Sequence, residues 1–206
     1  MGPMMLWLDH LAVSAGTLAQ GAEAVEAALG VILSAGGKHP HMGTHNRLLG
    51  LGDAYLEVIA IDPEAPAPAW PRWFDLDHFT GPPRLTNWVA ACEDLAAAIA
   101  AAPGGVGLPV DLQRGDFRWR MAVPEDGRLP FGGAHPALIA WQGPHPADRL
   151  PDLGLRLQRL EVAHPEADAL RKALQGLTDP RVVIVPGAAP GLRAEITTPH
   201  GLRVLE

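Results

Sequence analysis

Residues 6–30 read LWLDHLAVSAGTLAQGAEAVEAALG, and this stretch decides the fold class. An apolar strand is predicted from Leu6 to Val13, and an amphipathic helix follows it. Thr17 with Gln20 three residues later forms a capping-box pattern, and Gly30 is a typical helix terminator. A strand that runs directly into a capped helix indicates a repeated α+β building unit rather than a helical bundle.

The same strand-to-helix pattern recurs twice along the chain. Apolar strands open again at Leu85 and Leu155, and three further short strands are predicted after each helix. The order βαβββ therefore occurs three times, in modules at 4–62, at 84–143 and, in shorter form, at 154–206. Proline-rich linkers at 63–83 and 144–153 separate them. We expect an α+β fold in which modules pair into a curved mixed sheet that forms an open cup.

Composition restricts the classes of partner. The 206 residues carry 23 acidic and 16 basic side chains, for a formal net charge of −7, and 48% of the residues are hydrophobic. This balance argues against binding to nucleic acid or to an anionic membrane, because phosphate contacts need clustered Lys and Arg. The single cysteine, Cys92, allows no internal disulfide and suits the cytoplasm, where we expect the protein to be located.

Two polar residues interrupt otherwise apolar strands of the first module. His10 lies on the opening strand, and Glu57 lies on the closing strand. Burying either group without a partner is costly, and an imidazole beside a carboxylate suits Zn, Fe, Mn or Ni. The alternatives, which spacing alone favours, are a hydrogen bond inside the core and a histidine that binds substrate without a metal.

A glycine- and histidine-rich segment lies between the first helix and the closing strand. Residues 36–49 read GGKHPHMGTHNRLL, in which His39, His41 and His45 occur close together. The functional interpretation is a binding loop at the rim of the cup, with Asn46 and Arg47 entering the next strand. The alternative is a solvated loop with ordinary surface histidines.

These motifs together resemble a known family. The combination of Leu8-Asp9-His10-Leu11, Gly36-Gly37, Gly43-Thr44-His45-Asn46 and Tyr55-Leu56-Glu57 is similar to the glyoxalase-like family of the vicinal-oxygen-chelate superfamily. The resemblance implies paired βαβββ modules around a cup that binds a divalent metal through strands of two modules. It further implies that the metal chelates vicinal oxygens of a small molecule during isomerisation, epimerisation, dioxygenation or thiol addition, although some members only sequester ligands.

The resemblance supplies only half of the metal site. His10 and Glu57 occupy the two ligand positions of the first module, whereas our alignment places Asn87 and Ala140 at the matching positions of the second. Ala140 has no ligating atom, and Asn is an uncommon ligand for zinc or iron. Gln142 is a substitute if the register differs. We therefore expect a divalent metal (Zn, Fe, Mn or Ni) to be weakly bound or absent.

Arginines of the second module suggest an anionic ligand. Arg118 and Arg120 share a strand face, and Arg47 is on the corresponding strand of the first module. Guanidinium groups bind carboxylate or phosphate, and the alternative is an exposed strand face with acidic partners. The histidines outside the first module and its loop are most simply surface groups: His78, His135, His145, His164 and His200.

Two functional hypotheses follow. In the first, the cup binds a small oxygenated, anionic molecule and acts as a lyase, isomerase or oxygenase, with Glu57 and His10 as catalytic groups. His39, His45, Asn46, Arg47, Asn87, Arg118 and Arg120 then bind substrate. In the second, the protein binds or sequesters a small molecule without turnover. Because the third module has no pairing partner, we also expect either that the linker at 63–83 covers its apolar face or that the chain forms a homodimer.

Overall fold

A computed structural model describes residues 5–206 of the chain, so the predicted module start at residue 4 lies outside the described residues. The order βαβββ occurs three times, as expected. The first unit contains β1 (Trp7–Ser14), α1 (Leu18–Leu29), β2 (Ser34–His39), β3 (Thr44–Gly50) and β4 (Tyr55–Ile61). The second contains β5 (Arg84–Ala91), α2 (Leu95–Ala101), β6 (Leu108–Arg114), β7 (Phe117–Val123) and β8 (Ala137–Trp141). The third contains β9 (Arg156–His164), α3 (Ala167–Ala173), β10 (Val182–Pro186), β11 (Gly191–Thr198) and β12 (Gly201–Leu205).

The helix ends follow from local side-chain chemistry. Thr17 caps α1 by accepting a hydrogen bond from the backbone N–H of Gln20 at 3.2 Å, and Gly30 ends the helix in the left-handed conformation. Asp94 caps α2 in the same way through the N–H of Ala97. The described residues contain no helix long and apolar enough to cross a membrane.

The first two units form one curled sheet of eight strands. Its strand order is β2-β3-β4-β1-β5-β8-β7-β6, and the antiparallel pairing of β1 with β5 joins the two units. In each unit the first strand pairs in parallel with the last, β1 with β4 and β5 with β8. The sheet therefore has a concave face on which both units contribute side chains, and this face is the predicted cup.

The linker at 63–83 packs into the cup. A 3-10 segment at Trp73–His78 places Trp73, Phe74 and Leu76 against Ile59, Val89, Trp119 and Met121 of the concave face. These side chains form a second apolar core, separate from the main core. Burying this aromatic surface stabilises the closed arrangement, because apolar area removed from water is worth about 25 cal/mol per Å².

The third unit differs from the others in strand pairing. Its sheet has the order β10-β9-β11-β12, so the first strand lies between the second and third instead of beside the last. It packs against the face of the large sheet that is opposite the cup: Leu157, Leu160 and Ile196 belong to the same core cluster as Leu8 and Trp88. Backbone hydrogen bonds from Leu6 N to Gly176 O and from Thr178 N to Leu6 O, each 2.8 Å, tie the two parts together.

The apolar face of the third unit is covered differently from our expectation. We expected either the linker or a second copy of the chain to cover its apolar face, but the first two units cover it and the linker fills the cup instead. The physical reason is that both sheets have an apolar face to bury, and stacking them buries both at once. A homodimer therefore remains a prediction that no longer rests on an uncovered face.

The shared core gives a direct test of this packing. Leu160 is fully buried, so Leu160→Ala should lower the free energy of unfolding by roughly 2–5 kcal/mol, because it leaves a cavity between the two sheets. Chemical denaturation measures the change, and Leu202→Ala is the control, since Leu202 is 55% exposed and should cost less than about 0.5 kcal/mol. Equal effects of the two substitutions would contradict a core shared by all three units.

Candidate functional site

A β-bulge on β1 brings Asp9 to the buried centre of the sheet beside His10. The pairing of β1 with β5 shifts between Leu8 and His10, which leaves Asp9 as the extra residue. Bulges re-aim side chains in this way, and here Asp9 Oδ1 lies 2.5 Å from His10 Nδ1. Asp9 Oδ2 accepts hydrogen bonds from Trp141 Nε1 at 2.8 Å and from His145 Nε2 at 3.0 Å. The carboxylate is thus buried but fully hydrogen-bonded.

Glu57 faces the other nitrogen of the same imidazole. Its Oε2 lies 3.4 Å from His10 Nε2, so His10 stands between two buried carboxylates. Glu57 Oε1 accepts a hydrogen bond from Asn46 Nδ2 at 2.6 Å. The ring of Tyr55 stacks on the imidazole with centroids 4.4 Å apart. Strand alternation, which puts Tyr55 and Glu57 on one face of β4, accounts for this placement.

The amide of Asn46 is fixed by a chain of hydrogen bonds that spans the cup. Its Oδ1 accepts from Gly37 N and from Arg114, each at 2.8 Å, which leaves Nδ2 to donate to Glu57. The second Nδ2 proton is directed at His39 Nε2, 3.4 Å away. His39 Nδ1 then donates to Thr44 Oγ1 at 3.1 Å. The orientation of Glu57 is therefore set by residues from three other strands, β2, β3 and β6.

Glycines make this arrangement possible at the seam between β2 and β6. A Cβ on Gly36 would lie 2.1 Å from the carbonyl oxygen of Asn46, and one on Gly37 would lie 2.5 Å from Cδ of Arg114. Neither position tolerates a side chain without a shift of its neighbours. The pairing of β2 with β3 is also irregular between Ala35 and Lys38, so the two glycines form a bulge whose N–H reaches Asn46.

The buried charges shift one another's protonation. Burial opposes the charged form of His10, but hydrogen bonds to Asp9 and Glu57 outweigh it and raise the pKa of His10 to about 9. Burial likewise opposes ionisation of Glu57, and the neighbouring His10 still holds the pKa of Glu57 well below its usual range. His39 behaves differently, since burial lowers its pKa to about 4 and keeps it neutral. At neutral pH the site is an imidazolium held between two carboxylates.

The cavity around this pair is small and mostly aromatic. Its walls include Tyr55, Trp73, Phe74, Trp119 and Trp141, and its volume is about 30 Å³, room for a water molecule or two. The indole N–H of Trp73 is buried and forms no hydrogen bond within residues 5–206. A ligand larger than water requires the linker side chains Trp73 and Phe74 to move outward.

The other sequence-predicted site residues fall into two groups. His39 and Asn46 line the cavity with His10 and Glu57. Arg47, on the opposite face of β3, pairs with Glu26 at 3.2 Å, and His45 lies on that same face. Arg118 and Arg120 point away from the cup, because Trp119 and Met121 occupy the concave face of β7, and Arg120 pairs with Asp111. Asn87 is on the concave face but lines a separate cavity.

The part of the predicted metal site that β8 was expected to supply is apolar. The register of β8 also differs from our alignment. The residues of β8 that belong to the core of the cup are Ala137 and Ile139, with Trp141 packed against them, whereas Ala140 packs against the main core. Gln142 is exposed after the end of the strand. The structure therefore offers no ligating side chain on β8 opposite Glu57.

Sequence reasoning missed three residues of the site. Asp9, Arg114 and His145 are all within hydrogen-bonding distance of the network, although we assigned no role to the first two and described His145 as a surface group. Asp9 had a detectable signal, since a carboxylate inside an apolar strand needs a buried partner. Arg114 had none, because its role depends on the closure of β2 against β6.

Comparisons with known proteins agree with this architecture. The family model described as a glyoxalase-like domain matches residues 8–178. The chain belongs to the glyoxalase-like domain family. The resemblance to the glyoxalase-like family is thereby confirmed. A search of curated proteins found no match.

Solved structures similar to this glyoxalase-like chain show the fold alone. A hypothetical protein from Staphylococcus aureus has 12% identity, covers 91% of this chain and 88% of its own, and has a TM-score of 0.62. Methylmalonyl-CoA epimerase from Mycobacterium tuberculosis has 19% identity over 65% of this chain and 85% of its own, with a TM-score of 0.43. The Streptomyces coelicolor epimerase, solved with 2-nitronate-propionyl-CoA, has 14% identity over 65% of this chain and 94% of its own, with a TM-score of 0.42.

The donor set of this glyoxalase-like cup does not fit a four-ligand metal centre. The ligand-type side chains that line the cavity are His10, His39 and Glu57, all from the first unit. The second unit contributes no such group, only Arg114, Trp119, Met121, Ile139 and Trp141. Among the described residues no group of three or more His, Cys, Asp or Glu is arranged to hold a metal ion. The charges are also balanced without one, since His10 and Arg114 compensate Asp9 and Glu57.

The raised pKa of His10 predicts how the stability of the protein depends on pH. Because the pKa of His10 is raised from 6.5 to about 9, its stabilising contribution is complete below pH 6.5 and is lost as the pH rises through 9. The free energy of unfolding should fall by a few kcal/mol over this interval. Chemical denaturation at a series of pH values measures the change.

The control is His10→Gln, which removes the titrating group and should flatten the curve over the same interval. The buried histidines His39 and His135 do not contribute to the change between pH 6.5 and 9. Their pKa values are lowered to about 4, so they affect stability only below pH 6.5. Parallel curves for the wild-type protein and His10→Gln would contradict a buried imidazolium.

Proposed function

We propose that this protein binds a small oxygenated, anionic molecule in the cup and catalyses proton transfer at the carbon next to a carbonyl group, as an isomerase or a lyase. The observation that carries the proposal is the His10–Glu57 pair, 3.4 Å apart, on the wall of an otherwise aromatic cavity. A proton donor and a base side by side in a small, largely aromatic cavity are the parts that such a reaction needs.

The resting pair is unreactive, and ligand binding changes this. Glu57 is a weak base while it faces the imidazolium, because its pKa is held low. A carbonyl oxygen placed beside His10 Nε2 takes over the hydrogen bond, and Glu57 then keeps only the amide of Asn46 as a partner. Loss of the imidazolium as a partner raises the pKa of the carboxylate, so a base is generated only when a ligand is present.

Residues of the site account for both the proton and the electron pair in the proposed transfer. The C–H bond breaks, its proton goes to Glu57, and the electron pair moves to the carbonyl oxygen to give an enolate. His10 stabilises the developing negative charge as a hydrogen-bond donor, and Asp9 keeps the imidazole charged and oriented. Return of the proton to the same carbon gives exchange or epimerisation, and its return to another carbon gives isomerisation.

Two further groups support an anionic ligand. Arg114 lies on the wall of the cavity with its guanidinium group against Asn46. The buried indole N–H of Trp73, unpaired within residues 5–206, offers a donor that an anionic oxygen satisfies. Together they favour a carboxylate or a similar oxygen-bearing group over a neutral ligand.

The proposal is tested by hydrogen exchange in D₂O. Small 2-oxo acids, with pyruvate and 2-oxobutanoate as the first probes, should lose the proton signals at C3 faster with the wild-type protein than with buffer. Glu57→Gln should lower this rate by a factor of at least about 100, because it removes the base and keeps the shape. The matched control is Glu23→Gln on the exposed face of α1, which should keep the wild-type rate.

The outcome separates the two functional classes. Exchange that is equal in wild-type, Glu57→Gln and buffer samples would overturn the catalytic proposal. Binding of the probes by calorimetry without exchange would instead favour the alternative, a protein that sequesters a small molecule without turnover.

A divalent metal is expected to bind weakly to this site, because the proposal gives it two protein ligands. After dialysis, elemental analysis should find far less than one zinc, iron, manganese or nickel ion per chain. Titration with Zn²⁺, Mn²⁺ or Ni²⁺ should give a Kd on the order of 0.1 mM or weaker. One tightly held ion per chain that disappears in Glu57→Gln and persists in Glu23→Gln would contradict this expectation.

A further inference from the structure

A second and larger cavity lies outside the His10–Glu57 site. Its volume is about 470 Å³, within the range of small-molecule sites, and it opens between the linker, the start of β5, residues 128–134 and the turn before β11. The linker, the second unit and, through Leu192, the third unit therefore contribute to it. Phe74 lines both this outer cavity and the inner one, and it separates them.

Asn87 presents a side-chain amide to the outer cavity. Its side chain is only 5% exposed and lines the cavity, yet its amide takes part in no hydrogen bond found among residues 5–206. Its amide atoms are not among the fully buried side-chain atoms without a partner, so the amide reaches the open space of the cavity, where a ligand can hydrogen-bond with it. Gly133 opposite it has no side chain, and a Cβ there would lie 3.5 Å from Asn87 Nδ2. The backbone thus leaves space in front of the amide.

The charged groups around the cavity leave an excess of positive charge. Arg84 lies over the ring of Phe79, 4.5 Å from its centroid, and donates to the carbonyl oxygens of Thr80 and Pro82. It forms no ion pair with an acidic side chain in the described part of the chain. Arg128 pairs with Asp75 at 3.2 Å, and His78 shares that carboxylate at 2.7 Å. Two arginines thus face one carboxylate.

Strained backbone surrounds the same cavity. The non-glycine residues with positive φ in the described chain are Phe74, Asp75 and Phe131; the first two line the cavity, and the third precedes its Gly132 and Gly133. Such conformations are unfavourable for residues with a side chain, and proteins concentrate them at functional sites. Here the strain directs Phe74 into the wall between the cavities.

We propose that the outer cavity is a binding site for a flat, apolar molecule that carries a compact anionic group. Arg84 and Arg128 attract the anion at the rim, and Asn87 hydrogen-bonds with the ligand at the floor. Phe74, Phe79 and Leu192 contact its apolar part. This site uses none of the groups to which we assigned proton transfer, so it stands independently of the proposed function.

The test uses three probes of one shape and different charge. Phenyl phosphate and benzoate carry the two common anionic groups, and benzyl alcohol is the neutral comparison. Titration of the ¹⁵N-labelled full chain should shift the amide signals of Gly132, Gly133 and the Asn87 side chain. The better anion should bind with a Kd on the order of 1 mM, and benzyl alcohol should bind at least about fivefold more weakly.

Variants then assign the binding to this cavity. Arg84→Gln, Arg128→Gln and Asn87→Asp should each weaken binding of the anionic probes about five- to tenfold. Arg203→Gln is the matched control, because Arg203 lies on β12 outside the cavity and pairs with no acidic side chain among the residues described. Glu57→Gln should bind the probes like the wild-type protein, which separates this result from the test of proton transfer.

Several outcomes would overturn the proposal. Benzyl alcohol that binds as well as both anions would show an apolar pocket without anion recognition. Equal weakening by Arg203→Gln would show a general effect of charge. If Asn87→Asp fails to fold, the two arginine variants still decide, and wild-type affinity in both rejects the site.

Discussion

The Asp9–His10–Glu57 chain is the interaction on which the rest of the cup depends. Two carboxylates buried in a sheet are tolerated only if a cation lies between them, and the imidazolium of His10 is that cation. Its position requires the bulge at Asp9, and the orientation of Glu57 requires the amide of Asn46. The amide of Asn46 in turn requires the glycines of the β2 bulge, because they let a backbone N–H and Arg114 reach it.

A second constraint is that the cup cannot remain open in water. Its concave face carries Trp119, Met121 and Ile139, and apolar surface of this size is normally covered. The linker covers it by inserting Trp73 and Phe74, at the cost of positive φ angles at Phe74 and Asp75. Strain and burial oppose each other in one short segment, and this makes the linker the element best suited to move when a ligand enters.

The sequence predicted the fold well because strand and helix patterns are local. The strand after each helix and the two further strands are present in all three units, and Thr17 and Gly30 end α1 as predicted. Residues 36–49, which we interpreted as a binding loop, belong mostly to strands β2 and β3, because the bulge at Gly36 and Gly37 lets β2 continue to His39. The pairing order of the third unit was not predictable, since it depends on which surface the sheet packs against.

The candidate site was predictable only in part, for a related reason. Alternation along β1 and β4 brought His10 and Glu57 together, whereas the arginines at 47, 118 and 120 required knowledge of which strand face becomes concave. Arginines near a predicted cup therefore indicate an anion-binding site only if they lie on the strand face that becomes concave. Arg114 illustrates this, because it reaches the cup from the last position of an edge strand.

The third unit has a consequence for the site, although it lies on the opposite side of the large sheet. Strand β1 is buried on both faces, by the linker side chains on one side and by α1 and the third unit on the other. A strand buried on both faces cannot slip by one residue without moving every side chain into the wrong environment. The register that places His10 between its two carboxylates is thus fixed by packing from behind. This packing allows the cover at the front of the cup to contain strained backbone while the charged pair beneath it stays in place.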